Sequence, residues 1–141
     1  MKDSPIGANH IKSISMAMTE QAKILIVEDE RNVALYIKEV LMSFGIDAIE
    51  VAVSGEEAIQ KAKDIHPDVV LMDIVLKGKM DGIDAAELIK DQLGIPIIYI
   101  TAYSDAIRVK RAKATKPVGY LLKPFRIMDL QKGIEIALQQ D

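Results

Sequence analysis

Apolar residues along this chain fall into two alternating arrangements. Short unbroken runs, such as Ile24-Leu25-Ile26-Val27 and Val69-Val70-Leu71-Met72, are separated by longer stretches in which apolar residues recur every three or four positions. An unbroken run this short suits a strand covered on both faces of a parallel sheet, whereas the spaced pattern puts an apolar stripe along a helix. Residues 23–27 therefore read as a strand, followed by a helix carrying Val33, Ile37, Val40, Leu41 and Phe44 on one face, with Gly45 where a C-terminal cap belongs. Residues 47–53 read as a less apolar strand, nearer an edge. Ser54 looks like an N-cap and Glu57, three residues on, completes a capping box for a helix through Ala58, Ile59 and Ala62 that stops before His66-Pro67.

The alternation continues. Residues 68–72 form the third strand, and Asp81-Gly82 opens a helix carrying Ile83, Ala86, Leu88 and Ile89 that Gly94 closes. Residues 95–100 make a fourth strand, 104–114 a short helix and 118–122 a fifth strand. A last helix sets Ile127, Leu130, Ile134 and Leu138 on one stripe, read as core. Strand-then-helix repeated five times requires a mostly parallel sheet with right-handed crossovers and helices on both faces. The expected fold is α/β: a flavodoxin-like (βα)5 three-layer sandwich with strand order 2-1-3-4-5.

At 141 residues the chain is long enough for one domain with a proper core, placed at residues 22–141. Residues 1–21 lack periodicity and are expected to be a disordered extension or an appended leader, with Met16 or Met18 an alternative start and His10 given no chemical role. The net charge of −3 argues against a general nucleic-acid binder. The absence of cysteine excludes disulfides, thiolate metal sites and cysteine nucleophiles. No apolar run approaches a membrane span and the N-terminus lacks a secretory core, so a cytoplasmic location is the expectation.

Chemistry gathers where the strands end. In open α/β sheets ligands collect at the carboxyl ends of the strands, and there the first strand meets Glu28-Asp29-Glu30 and the third meets Asp73. These two strands are neighbours in the expected order, about 4.8 Å apart. Asp29 and Asp73 then face each other across a gap that one divalent ion can bridge, with Mg–O bonds of roughly 2.0–2.1 Å. Glu28 supplies a third carboxylate; acids this close repel, so a cation both relieves and organises the site, and oxygen-only ligands favour Mg²⁺. Thr101 ends the fourth strand beside Asp73, and Lys123 ends the fifth, roughly 10 Å away and within reach of its flexible arm. A carboxylate nucleophile, a cation site, a hydroxyl and an ammonium converge, which is the apparatus of phosphoryl transfer.

The ordered set Glu28-Asp29, Asp73, Thr101-Ala102 and Lys123-Pro124-Phe125 resembles a response-regulator receiver domain of two-component signalling, over about residues 22–140. The resemblance implies that Asp73 is the phospho-acceptor. It implies that Asp29 binds Mg²⁺ directly, Glu28 through water, and the backbone carbonyl of Val75 as a further ligand. Lys123 would contact the phosphoryl oxygens, Thr101 would move to hydrogen-bond them, and Tyr120 would be the aromatic switch that turns inward. It further implies a histidine kinase or phosphotransfer protein as donor, no enzymatic activity beyond self-catalysed phosphotransfer and dephosphorylation, and a downstream protein target reached through the face of the fourth helix, fifth strand and fifth helix. A homodimer through that face is a further expectation. Because the chain ends after the fifth helix, it is expected to act as a stand-alone receiver whose output works through another protein, or else to be a piece of a longer chain.

The family pattern is broken after Asp73. Receivers usually carry a proline four residues beyond the acceptor, where this chain has Lys77 followed by Gly78, and the loop to Asp81-Gly82 is one residue longer. Val75 and Tyr103 flank the expected path of an attacking water, and an apolar residue and a bulky ring there point to a slowly hydrolysing phosphoaspartate. Plainer readings stand beside these. Glu28-Asp29-Glu30 could be a solvated helix-start turn, Asp73 a strand-end cap, Thr101 and Tyr120 ordinary strand residues, and His66 a loop residue. The basic run Arg108, Lys110, Arg111, Lys113 and Lys116 is either a solvated face or a surface for an acidic partner. Two other functions compete: a Mg²⁺-dependent aspartyl phosphatase, which needs a second acid where Val75 stands, and an interaction module that is never phosphorylated.

Overall fold

The computed structural model describes residue 19, residues 21–102 and residues 105–139. Among them five strands, β1 (Lys23–Val27), β2 (Ala48–Ala52), β3 (Val69–Met72), β4 (Ile97–Thr101) and β5 (Gly119–Leu122), form one parallel sheet in the order β2-β1-β3-β4-β5. Between and after them run α1 (Arg31–Ser43), α2 (Gly55–Ile65), α3 (Gly82–Leu93), α4 (Ala106–Ala114) and α5 (Ile127–Leu138). This is the expected architecture, and β2 is the expected edge strand. The expectation of a disordered extension or leader falls, but for residues 19 and 21, outside the described residues, as do those for His10, for starts at Met16 or Met18, and for Tyr103 and Ser104.

Side-chain alternation along the strands feeds two cores. Leu25, Val27, Val70, Met72, Ile97 and Tyr99 pack against α2 and α3 residues such as Ala58, Ala62, Ile83 and Ile89. Ile24, Ile26, Val69, Leu71, Ile98 and Ile100 face α1 and α5 through Ile37, Leu41, Leu130 and Ile134. Each such side chain contributes roughly 1.5–3 kcal/mol of burial. The central strand β3 has all four of its side chains buried, so its end cannot shift without disturbing both layers.

Local chemistry stops and starts the helices. Gly45, at φ 88°, lies just past the end of α1 and donates to Met42 O, while Ile46 donates to Leu41 O. That is a Schellman closure, and Ile46 and Leu41 are both buried. The Ser54 hydroxyl accepts from Glu57 N at 3.1 Å, but Glu57 reaches past Ser54 to accept from Val53 N at 2.7 Å, so the capping box is displaced by one residue. Asp81 caps α3 by accepting from Asp84 N at 2.8 Å, and Gly94 ends that helix at φ 68°.

Two stripes differ from expectation. Leu88 is exposed, and Ala85 takes the buried place on α3. Ile127 is 47% exposed, so the core stripe of α5 begins at Leu130 and runs through Ile134 and Ala137. Periodicity marks a helical face but not how far the sheet beneath it extends.

Gly82 has a tighter constraint. Its N–H donates to Ile74 O at 2.7 Å, and a Cβ built on it would stand 1.8 Å from the carbonyl oxygen of Asp73. Helix α3 therefore starts against the backbone that carries Asp73, and only glycine permits it. Gly82→Ala is expected to cost about 1–3 kcal/mol, the usual range for forced overpacking, measurable by urea unfolding; an unchanged midpoint would contradict the close approach.

Candidate functional site

The ladder between β1 and β3 pairs Val27 with Met72, so the next residues, Glu28 and Asp73, come level, with Asp29 following. Asp73 N donates to Val27 O at 3.0 Å, which extends the ladder one step and holds the Asp73 backbone. On the other flank Met72 pairs with Tyr99, and Thr101 with Leu122, so Thr101 and Lys123 close the same rim. Lys123 N donates to Thr101 O at 2.9 Å. Sequence neighbours of buried strands are thereby delivered to one edge.

The side chains meet there. Glu28, Asp29 and Asp73 each present a carboxylate oxygen within 4.8 Å of the other two. Lys123 Nζ crosses to Glu28 Oε1 at 2.6 Å and to Asp73 Oδ2 at 3.3 Å. Glu28 is 1% exposed and Asp73 7%. The remaining Glu28 oxygen accepts from Glu30 N at 3.0 Å, and Asp29 Oδ2 accepts from Lys77 N at 3.0 Å. A cleft of about 390 Å³, lined by Asp29, Glu30, Asp73, Val75, Lys77, Ala102 and Lys123, opens onto the cluster.

Burial pushes the Glu28 carboxyl up to about 7; hydrogen bonds from Lys123 and Glu30 N oppose that rise and the Asp73 charge adds to it. Burial pulls the Lys123 ammonium down, but the Glu28 and Asp73 carboxylates outweigh it and leave the amine above its ordinary value. Lys123 is thus a fixed positive charge within reach of the Asp73 oxygens.

Thr101 is fully buried at the end of β4. Tyr120 is half-buried beside Tyr99, with ring centroids 6.0 Å apart and planes tilted by 54°. Burial raises the Tyr120 hydroxyl and pushes that of Tyr99 up to about 12. The sequence reading missed three contacts: the pairing of Lys123 with Glu28, and the N–H groups of Glu30 and Lys77 that hold two of the acids. For Lys77 a signal existed, because a proline at that position could not donate.

The donor set fits a hard divalent cation. Its three carboxylates are crowded and oxygen-only, Asp29 and Asp73 line an open cleft, and among the described residues no His or Cys joins them. Among the described residues no helix is long and apolar enough to cross a membrane.

Comparison with known proteins agrees with this arrangement. Residues 24–135 match the family model described as "Response regulator receiver domain". The chain is 37% identical over 118 residues to the transcriptional regulatory protein PdtaR of Mycobacterium tuberculosis, covering 84% of this chain and 57% of that protein. It is 29% identical over 123 residues to the DNA-binding response regulator MtrA of Mycobacterium bovis, covering 87% of this chain and 53% of that protein. The chain thus spans little more than half the length of these curated relatives. Among solved structures, the signal receiver domain of a modulated diguanylate cyclase from Desulfovibrio desulfuricans G20 superposes with a TM-score of 0.79 at 40% identity, covering 83% of this chain and 93% of that one. With this match across most of its length, the chain belongs to the response-regulator receiver domain family.

Proposed function

We propose that Asp73 accepts a phosphoryl group from a phosphohistidine on a partner kinase or phosphotransfer protein, and that the charge so gained switches a partner-binding surface. The observation that carries this reading is Lys123 Nζ lying 3.3 Å from Asp73 Oδ2 beside the Glu28 and Asp29 carboxylates. An Asp73 oxygen attacks phosphorus in line, the P–N bond to the donor imidazole breaks, and the imidazole nitrogen leaves with the electron pair and takes a proton. Asp29, Asp73 and the backbone carbonyl of Val75, with Glu28 behind them, would hold Mg²⁺, which supplies charge neutralisation at the phosphoryl oxygens. Lys123 keeps its proton and pairs with those oxygens as they arrive. Self-catalysed transfer and hydrolysis are the whole of the proposed chemistry, so the domain signals rather than turns over a substrate.

The donor has to approach through the open mouth of the cleft. Beside that mouth an apolar groove of about 370 Å³ runs between Val33 and Tyr36 of α1 and Pro124-Phe125, with Lys123 lining both. A donor helix laid in this groove would bring its phosphohistidine to Asp73. On the receiving side, Thr101 moves to bond the phosphoryl group and Tyr120 turns into the space it leaves. The exposed Ile107, Leu122, Ile127 and Met128 and the basic face of α4 support the α4-β5-α5 face as the output surface. Its partner is a separate protein, a further domain or a second copy of this domain.

Two outcomes are expected. Acetyl phosphate with Mg²⁺ adds the mass of one phosphoryl group to the wild type and none to Asp73→Asn; equal labelling of both, or of neither, contradicts the assignment. The side chain of Val75, half-buried in the cleft wall, offers no polar atom to hold a water. Labelled protein is therefore expected to keep its phosphoryl group for minutes or longer, with Val75→Asn losing it several-fold faster. Phosphate release within seconds from the wild type would refute slow hydrolysis.

A further inference from the structure

Helix α4 is held differently from the other helices. Of its nine residues only Ala112 is buried, and Ile107 is 74% exposed, so apolar packing fixes it weakly. Its attachments are polar and go largely to α3. At its C-terminal end Lys90 Nζ, from α3, donates to Thr115 O at 2.7 Å and Lys116 O at 2.6 Å. The hydroxyl of buried Tyr99 meets Thr115 Oγ1 at 2.8 Å. Midway along α4, Arg111 reaches Asp81 Oδ2 at 3.0 Å through one amine and Asp84 Oδ1 at 3.2 Å through the other. Asp81 is no bystander. It caps α3 and ends the loop that begins at Asp73, and the adjoining Gly82 is pressed against the Asp73 backbone.

We infer that Arg111 is a releasable latch through which the loop from Asp73 to Asp81 sets the position of α4, while the Lys90 and Tyr99 contacts act as its pivot. The inference rests on the phospho-acceptor reading for what triggers release, but the latch itself is a property of the unphosphorylated chain. Exposed ion pairs are individually weak. Here one guanidinium binds two carboxylates and apolar burial adds only Ala112 to the hold, so a small change in Asp81 is enough to loosen the helix. The path differs from the one through Thr101 and Tyr120, because it runs along α3 rather than across β4 and β5.

Hydrogen exchange read by mass spectrometry tests it. In unphosphorylated protein at low salt, Arg111→Met is expected to speed exchange in α4 by about three- to fivefold, the scale of one or two exposed ion pairs, with β3 and β4 unchanged. In the wild type, 1 M salt, which shortens screening to about 3 Å, is expected to move α4 in the same direction. If neither the variant nor salt alters α4, the latch is overturned. After acetyl phosphate with Mg²⁺, wild-type α4 should speed toward the exchange of Arg111→Met, and the variant should change less than the wild type, keeping only the part that runs through Thr101 and Tyr120; a variant that responds as fully as the wild type overturns the coupling. Absence of phosphoryl uptake by intact mass would instead sink the function proposed above, while the unphosphorylated comparison still decides the latch.

Discussion

Three carboxylates crowded at one rim, two of them buried and Asp29 half-buried, set the terms for the rest of this structure. Their oxygens lie within 4.8 Å of one another, and at an effective dielectric near 20 each charged pair at that range repels by on the order of 3 kcal/mol. The acids cannot move apart, because β1 and β3 are buried on both faces and their ladder continues through the Asp73 N–H. The repulsion is therefore answered by charge and hydrogen bonds: Lys123 across the rim and the N–H groups of Glu30 and Lys77. A cation and then a phosphoryl group would enter a site already out of balance, which is a reason for such a site to respond to small ligands.

In the proposed switch, a phosphoryl group adds about −1.5 to −2 charge beside Lys123. Carrying a two-state element from 1:99 to 99:1 takes about 5.5 kcal/mol of differential stabilisation, and charge-assisted hydrogen bonds at roughly 1.5–3 kcal/mol each to Lys123 and Thr101 reach that range together. The receiving element needs little persuasion, since α4 buries only Ala112. A helix held by ion pairs instead of apolar burial can be repositioned at small cost while the cores on either side of the sheet stay intact.

Much of this could be read from the residues in order. The unbroken apolar strands and the Gly45, Ser54, Asp81 and Gly94 boundaries follow from local rules of burial and helix capping, while the strand order follows from the common arrangement of five parallel strands. Convergence of Glu28, Asp29, Asp73, Thr101 and Lys123 on one edge was legible too, once parallel strands are known to end together. Other features were not. Exposure of Ile127 and Leu88 depends on what lies beneath each helix, and the shift of Glu57 to Val53 N depends on side-chain reach. The approach of Gly82 to Asp73 and the fork of Arg111 join residues distant in sequence, and no periodicity encodes such pairs. In the basic run of α4, Lys110 and Lys113 face solvent, while Arg111 pairs within the fold with Asp81 and Asp84, which neither reading of that run foresaw.

The account stands or falls on whether crowding at the strand ends costs the fold stability that a cation restores. Urea unfolding of the wild type and Asp29→Asn, each with and without Mg²⁺, measures this directly. Removing one of the three charges should make metal-free Asp29→Asn more stable than the wild type, and Mg²⁺ should stabilise the wild type by mass action while doing little for the variant. A variant less stable than the wild type without metal, or one that gains as much from Mg²⁺, would contradict the account.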